Sequence, residues 1–215
     1  PSGRISTSAA AAIGIGCLLI AAVLASLVGN RSFMVSLACY LAINIAYVLK
    51  LKQLSLVDCF CIACGFVIRV LAGCYAIQVI PSDWIVVVTF FLALFLAFNK
   101  RKSELVLLDK SSQHHRVALS GYSIKTLEVY IYLCAAICIT AYLMYTLTST
   151  SIPAGLHDSL KYSAFFVVFG LFRYIQINDV EKAEDGDPTV VFYKDRYLQV
   201  AILLWAIYTT YVIYG

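Results

Sequence analysis

The run Trp84-Ile-Val-Val-Val-Thr-Phe-Phe-Leu-Ala-Leu-Phe-Leu-Ala-Phe98, followed at once by Asn99-Lys100-Arg101-Lys102-Ser103-Glu104-Leu105, decides how the rest of the chain is read. Fifteen residues pass without a charge, and then three cations and a carboxylate fall within five positions. An uncharged apolar run ending abruptly in charge is the pattern of a helix leaving a bilayer. If the helix runs on, Lys100 and Glu104 are four apart and share one face, with Arg101 beside them. Charge at the mouth of an apolar helix serves either as an interface anchor or as a site for a phosphorylated ligand. This stretch alone leaves both open.

The whole chain has the same character. Of 215 residues, 62% are hydrophobic and 13% charged, and the mean hydropathy is +0.87. A soluble domain carries roughly 25% charged residues, so this is an integral membrane protein. Its net charge of +4 is therefore no argument for a nucleic-acid partner, and none is expected; the distribution of charge over the loops is what informs. The chain opens Pro1-Ser2-Gly3-Arg4 with no initiator Met and no signal-peptide pattern, which suggests a fragment or a processed chain. All eight cysteines fall in apolar runs. Cys59, Cys61 and Cys64 have no repeated C-x-x-C partner and no nearby His, so small buried hydrophobes are expected rather than a metal site. His114, His115 and His157 lie in polar connections, and zinc is not expected.

A spanning helix needs about 20 mostly apolar residues. Seven spans satisfy this, at roughly 8–29, 33–49, 56–80, 83–99, 126–148, 160–178 and 197–214. Turn chemistry marks breaks at Gly29-Asn30, Pro81-Ser82 and Pro153-Ala-Gly155, and no segment alternates as a barrel strand would. The predicted fold is an all-α transmembrane bundle, one helical domain over 1–215. Seven spans send the connections alternately to two sides. One side collects twelve Lys and Arg at loops and helix ends and the other only Arg31 and Lys161, with Arg69 and Arg173 inside spans. The cation-rich side is therefore expected to face the cytoplasm. Ten of the twelve carboxylates fall on it too, and so do both long polar connections, 100–125 and 179–196. A polar cap over one mouth suits a membrane enzyme with a water-soluble co-substrate. A transporter or channel is expected instead to thread polar groups through its midplane.

Several residues carry both a bland and a functional reading. Tyr47, Lys50 and Lys52 end the second span, either as an aromatic and lysine anchor or as a group reaching for phosphate. Arg69 lies thirteen residues from Leu56, about 20 Å down a helix. It must either bind carbonyls or a neighbour's carboxylate, or line a polar cavity. Asp58 is eleven residues from Arg69, about 16 Å along the axis, too far to pair with it. Gly65 and Gly73 permit close helix approach. Arg173 with Tyr174 lies just inside the sixth span. The acidic run from Asp179 to Asp187 reads as a solvated loop or a hard-cation ligand set. Asp195-Arg196 opens the last span, where Asp suits a helix N-terminus.

Together, Tyr40-Leu-Ala-Ile-Asn-Ile-Ala-Tyr47-Val-Leu-Lys50-Leu-Lys52, Gly65-Phe66-Val67-Ile68-Arg69-Val70-Leu71-Ala72-Gly73 and Lys100-Arg101-Lys102-Ser103-Glu104-Leu105 resemble the UbiA superfamily of membrane prenyltransferases. Phe172-Arg173-Tyr174, Gly186-Asp187-Pro188-Thr189 and Lys194-Asp195-Arg196-Tyr197-Leu198-Gln199 agree. The match is best to its decaprenyl-phosphate phosphoribosyltransferase branch. The resemblance implies a nine-helix bundle with a lateral cavity, of which this chain would hold seven helices. It also implies Mg²⁺, held mainly by an N-D-x-x-D motif upstream of Pro1, with no metal ligands in this chain. Where family members place a second D-x-x-x-D motif, this chain has Lys100-Arg101-Lys102-Ser103-Glu104. Cations cannot ligate Mg²⁺ but bind phosphate oxygens directly.

The activity so implied moves 5-phosphoribosyl from phosphoribosyl pyrophosphate to a polyprenyl (decaprenyl) phosphate, for a cell-envelope polysaccharide precursor. Prenyl transfer onto an aromatic acceptor is the alternative. Lys100, Arg101 and Glu104 are the implied catalytic residues. Tyr47, Lys50, Lys52, Arg69, Tyr122, Arg173, Asp195 and Arg196 are the implied phosphate-binding ones. The expected setting is a multi-pass protein of the inner or plasma membrane, with its active side cytoplasmic and an oligomer compatible.

Overall fold

The computed structural model describes residues 6–110, 121–150, 152–180 and 188–215. Arg4, His114, His115, Arg116 and the acidic run from Glu181 to Asp187 lie outside them. The described residues are mainly helical and include no strand. In chain order the helices are α1 (Thr7–Val28), α2 (Arg31–Leu49), α3 (Val57–Ala76), α4 (Asp83–Lys110), α5 (Ile124–Thr148), α6 (His157–Leu160), α7 (Ala164–Val180), α8 (Pro188–Lys194) and α9 (Arg196–Tyr214). Among the described residues seven stretches are long and apolar enough to cross a membrane, with α6 and α7 joined as one of them.

Local chemistry explains most boundaries. Gly29 ends α1 with φ +65°, and Asn30 caps α2 by accepting from the Ser32 and Phe33 amides at 2.9 and 3.2 Å. The same Asn30 donates its Nδ2 to the Tyr75 carbonyl at 2.8 Å, which ties this turn to the far end of α3. The third span is shorter than the sequence suggests. Gln78 adopts φ +58°, with Val79 N–H on the Cys74 carbonyl at 2.9 Å and Gln78 N–H on that of Tyr75 at 3.3 Å. That is a Schellman stop, built on Gln where Gly or Asn would have announced it. The fourth span is longer: α4 continues eleven residues past Asn99, because nothing between Phe98 and Lys110 breaks a helix and Lys, Arg, Glu and Leu all favour one. At about 42 Å it outreaches a hydrocarbon core of about 30 Å. Much of the connection read as polar loop is thus helix, and α8 likewise occupies part of the other.

The core lies between α3, α4, α5, α7 and α9. On α5 the buried residues Leu127, Ile131, Cys134, Cys138 and Ala141 are spaced four, three, four, three, a coiled-coil-like seam. Small side chains along α4 and α5, Ala93, Ala97, Ala135 and Ala141, let the backbones approach. Between helices in lipid, this packing takes the place of the hydrophobic drive. Tyr174 packs against Phe95 and Phe192, with ring centroids 5.4 and 6.0 Å apart, and joins α7 and α8 to the core. Of the cysteines, Cys59, Cys134 and Cys138 are buried as expected, whereas Cys17 and Cys39 lie exposed on α1 and α2, where the apolar surroundings are left to the bilayer. All eight are unbridged.

Candidate functional site: a buried arginine under a charged rim

The ends of α3, α4, α5, α7 and α9 that carry Asp58, Arg101, Glu128, Asp179 and Asp195 meet on one side of the bundle, bound by ion pairs. Arg101 stands at the centre. It lies four residues after Ala97 and three after Phe98, so it continues the buried stripe of α4; it is only 2% exposed. Its Nε donates to Asp58 Oδ2 at 2.6 Å and its Nη1 to Glu104 Oε2 at 2.5 Å. Asp58, in the first turn of α3, is wholly buried. Its other oxygen, Oδ1, accepts from the Tyr122 hydroxyl at 3.1 Å. Glu104 is more open, its side chain 24% exposed.

Tyr122 is held where the chain enters α5. Its hydroxyl oxygen accepts from the Leu56 amide at 2.5 Å. Leu56 has φ +65° and ψ −50°, with Val57 N–H bonded to the Ser55 carbonyl at 2.8 Å, a strained γ-turn. Gly121 presses on the same turn: a Cβ there would lie 2.1 Å from Ser55 Oγ. Burial pushes the Tyr122 phenol well above its ordinary range, so at neutral pH it keeps the proton that it gives to Asp58.

Two further sets ring this hub. Lys102 Nζ binds Asp179 at 2.5 Å and Glu128 at 2.9 Å, linking α4 to α7 and α5. Arg173 gives Nε and Nη2 to Asp195 Oδ2 at 3.1 and 2.5 Å and Nη1 to Gln176 at 2.9 Å, and its guanidinium lies 5.3 Å from the Tyr197 ring centre. Asp195 also caps α9, its Oδ1 accepting from Leu198 N–H at 2.7 Å. The hydrogen bonds from Arg173 hold the Asp195 carboxyl below the usual carboxylate range, against the opposing effect of burial.

Beside these groups opens an apolar cavity of about 700 Å³, walled by α4, α5, α7 and α9 through residues such as Leu92, Phe95, Tyr142, Tyr174, Leu198 and Trp205. It extends from Phe192 and Leu198 near the charged side to Ile85 and Leu156 at the opposite end.

The sequence-derived candidates divide accordingly. Arg101, Glu104 and Tyr122 come together, and Glu104 pairs with Arg101 rather than with Lys100. Lys100 is half-buried on the same turn. Tyr47, Lys50 and Lys52 sit at the end of α2 and the 3-10 turn after it. Arg173 and Asp195 form their own pair, with Arg196 exposed next to them. Arg69 differs from both alternatives offered for it. It lies on an exposed face of α3 with its guanidinium 5.6 Å from the Phe66 ring centre, about 16 Å along the helix from Asp58. Sequence reasoning passed over Asp58 itself, having ruled out Arg69 as its partner; a lone carboxylate opening an apolar helix was the signal. Among the described residues no three His, Cys, Asp or Glu side chains gather to hold a metal ion. They do not fit Mg²⁺.

Fold and site define a multi-pass helical membrane protein with ion pairs gathered on one side of the bundle and an apolar cavity between α4, α5, α7 and α9. The chain matches the UbiA prenyltransferase family over residues 1–202 and belongs to that family. It is similar to the decaprenyl-phosphate phosphoribosyltransferase of Mycolicibacterium smegmatis, 26% identical over 194 residues, covering 88% of this chain and 61% of the relative. The protein of that name from Corynebacterium glutamicum is 27% identical over 186 residues, 84% of this chain and 55% of its own. That of Mycobacterium tuberculosis is 26% identical over 166 residues, 77% and 53%. The chain thus spans little more than half the length of these relatives.

Proposed function

We propose that the protein transfers 5-phosphoribosyl from phosphoribosyl pyrophosphate to a polyprenyl phosphate, with its charged side in the cytoplasm. The observation that carries this is a buried arginine, hydrogen-bonded between two carboxylates on one side of a bundle that also holds an apolar cavity, in a chain similar to relatives that bear that name. A phosphate oxygen of the lipid attacks the anomeric carbon of the ribose. The bond to pyrophosphate breaks, and pyrophosphate leaves with the electron pair. Arg101 and Lys100 stabilise its charge; electrostatic support of this kind often contributes more to the rate than any other single effect. Glu104 orients a ribose hydroxyl, and the cavity receives the lipid tail. Tyr47, Lys50, Lys52 and Arg173 belong to the phosphate-binding rim in this scheme. Mg²⁺ accompanies the donor pyrophosphate, and no step is assigned to it.

The test is incorporation of label from phosphoribosyl pyrophosphate into decaprenyl phosphate by the purified protein. Arg101→Ala should abolish it when equal amounts of folded protein are compared. Wild-type transfer by that variant would sink the assignment, and incorporation of a labelled prenyl diphosphate into an aromatic acceptor would replace it.

A further inference from the structure

Arg101 is held by two carboxylates that differ in burial. Asp58 is wholly buried and doubly engaged, by Arg101 Nε and by the Tyr122 hydroxyl. Glu104 is partly exposed and reaches the guanidinium from the next turn of the same helix. Asp58 takes Nε and Glu104 takes Nη1, so Nη2 is the nitrogen that neither carboxylate holds. A donor phosphate can meet Arg101 there while Asp58 keeps its hold. Asp58, clamped on both oxygens, cannot turn.

We propose that Asp58 is a positioning residue for the transfer reaction. It holds Arg101 in place as the donor's phosphate arrives, and the Tyr122 clamp on the Leu56 turn fixes its own carboxylate. The proposal rests on the function proposed above, in which Arg101 binds the donor. Its physical basis is pre-organisation. An arginine side chain free to rotate loses conformational entropy on binding a ligand. Held by a buried carboxylate, it presents a fixed edge, in a setting where its field is little screened by water. Three features serve that one carboxylate. The γ-turn at Leu56 starts α3 two residues before Asp58, and the Tyr122 hydroxyl bonds both the Leu56 amide and Asp58. Gly121 leaves room for the turn to be approached so closely.

The test is a double-mutant cycle on donor affinity, with phosphoribosyl pyrophosphate titrated calorimetrically into the purified protein. Asp58→Asn keeps the shape and removes the charge; it should raise Kd for the donor about tenfold, the low end of the loss of about 10–100-fold when a group that orients a metal ligand is removed. In an Arg101→Ala background the same change should raise Kd by no more than about twofold. Tyr122→Phe, which spares the buried charges, should behave in the same way with a smaller rise. A control separates positioning from stability. Asp58→Leu with Arg101→Met replaces the buried pair by apolar side chains, an exchange that is often neutral for folding. It should restore the melting temperature and leave donor binding as weak as in Arg101→Ala. Equal Asp58→Asn penalties in both backgrounds, or donor binding that returns with the melting temperature in the apolar double variant, overturns the positioning role. A wild-type protein that makes no phosphoribosyl lipid overturns the underlying reading, and this proposal with it.

Discussion

Two Arg–Asp pairs stand on the same side of the bundle and share almost nothing but their chemistry. Arg101 and Asp58 are 3% and 0% exposed at their side chains, and Arg173 and Asp195 are 19% and 8%. The inner pair joins the middle of the chain, α3 to α4, and carries Tyr122 and Glu104 with it. The outer pair ties α7 to the first residues of α9 and doubles as a helix cap. Taking two charges out of water costs several kcal/mol per ion unless every lone pair and proton finds a partner. The inner pair meets that demand: among the described residues no buried side-chain nitrogen or oxygen lacks a hydrogen bond. The outer pair keeps some contact with solvent, so less rests on it. Burial, then, makes one pair a hub and the other a fastener.

The contrast can be broken by experiment, the strongest effect first. Arg101→Ala strands Asp58 as an unpaired buried charge and should cost about 3–5 kcal/mol in reversible unfolding of the detergent-solubilised protein. A cost of about 1 kcal/mol would make the two pairs equivalent. Next, Tyr122→Phe leaves the Leu56 amide and Asp58 Oδ1 each short of a partner, at about 1–3 kcal/mol. Its pH dependence has a definite sign. The phenol is raised in the folded state, so its contribution is complete below the unfolded value of about 10 and is lost as pH rises through the folded one. Tyr122→Phe should therefore remove an alkaline limb from the melting curve.

Arg173→Ala should cost only about 1 kcal/mol, and its penalty should shrink between low and high salt, whereas that of Arg101→Ala should not. Because the Asp195 carboxyl is lowered, this contribution is present above the unfolded value of about 3.9 and fades as pH falls through the folded one. Melting temperatures measured from about pH 7 down to about pH 2 check it. Least of all, Asp158→Ala removes a partner from Lys161, where the carboxylate side chain is 92% exposed, and should leave the melting temperature unchanged. A clear drop there would mean that exposure does not rank these pairs.

Much of the site was legible in the chain. Lys100-Arg101-Lys102-Ser103-Glu104 marks the mouth of a bundle because charge after fifteen apolar residues belongs at the edge of the hydrocarbon. The resemblance put Arg101 and Glu104 with Lys100 in the catalytic set and Tyr122 in the phosphate-binding one, and the structure brings Arg101, Glu104 and Tyr122 together. The partner that Arg101 and Tyr122 share was hidden. Asp58 and Arg101 are forty-three residues apart, and no local pattern couples a carboxylate opening one helix to a guanidinium near the end of the next. Arg69, exposed beside Phe66, shows the converse. Depth along a helix is readable from sequence, but the direction in which a residue faces depends on which neighbours arrive.

What the sequence determined by itself is whatever follows from transfer of side chains between water and hydrocarbon: seven apolar stretches, the helical class, and the side on which charge collects. Those depend on local composition, summed over about 20 residues, and a long sum tolerates small errors at its ends. The tertiary structure alone decided which of four neighbouring charged residues turns inward. A helix advances about 100° per residue, so Lys100, Arg101, Lys102 and Glu104 do not all point one way. Only the packing of α4 against α3 and α5 made Arg101 the buried one. The Lys100–Glu104 stretch at first divided between anchor and phosphate site. In the structure Lys102 fastens α4 to Glu128 of α5, while Arg101 lies buried as the hub.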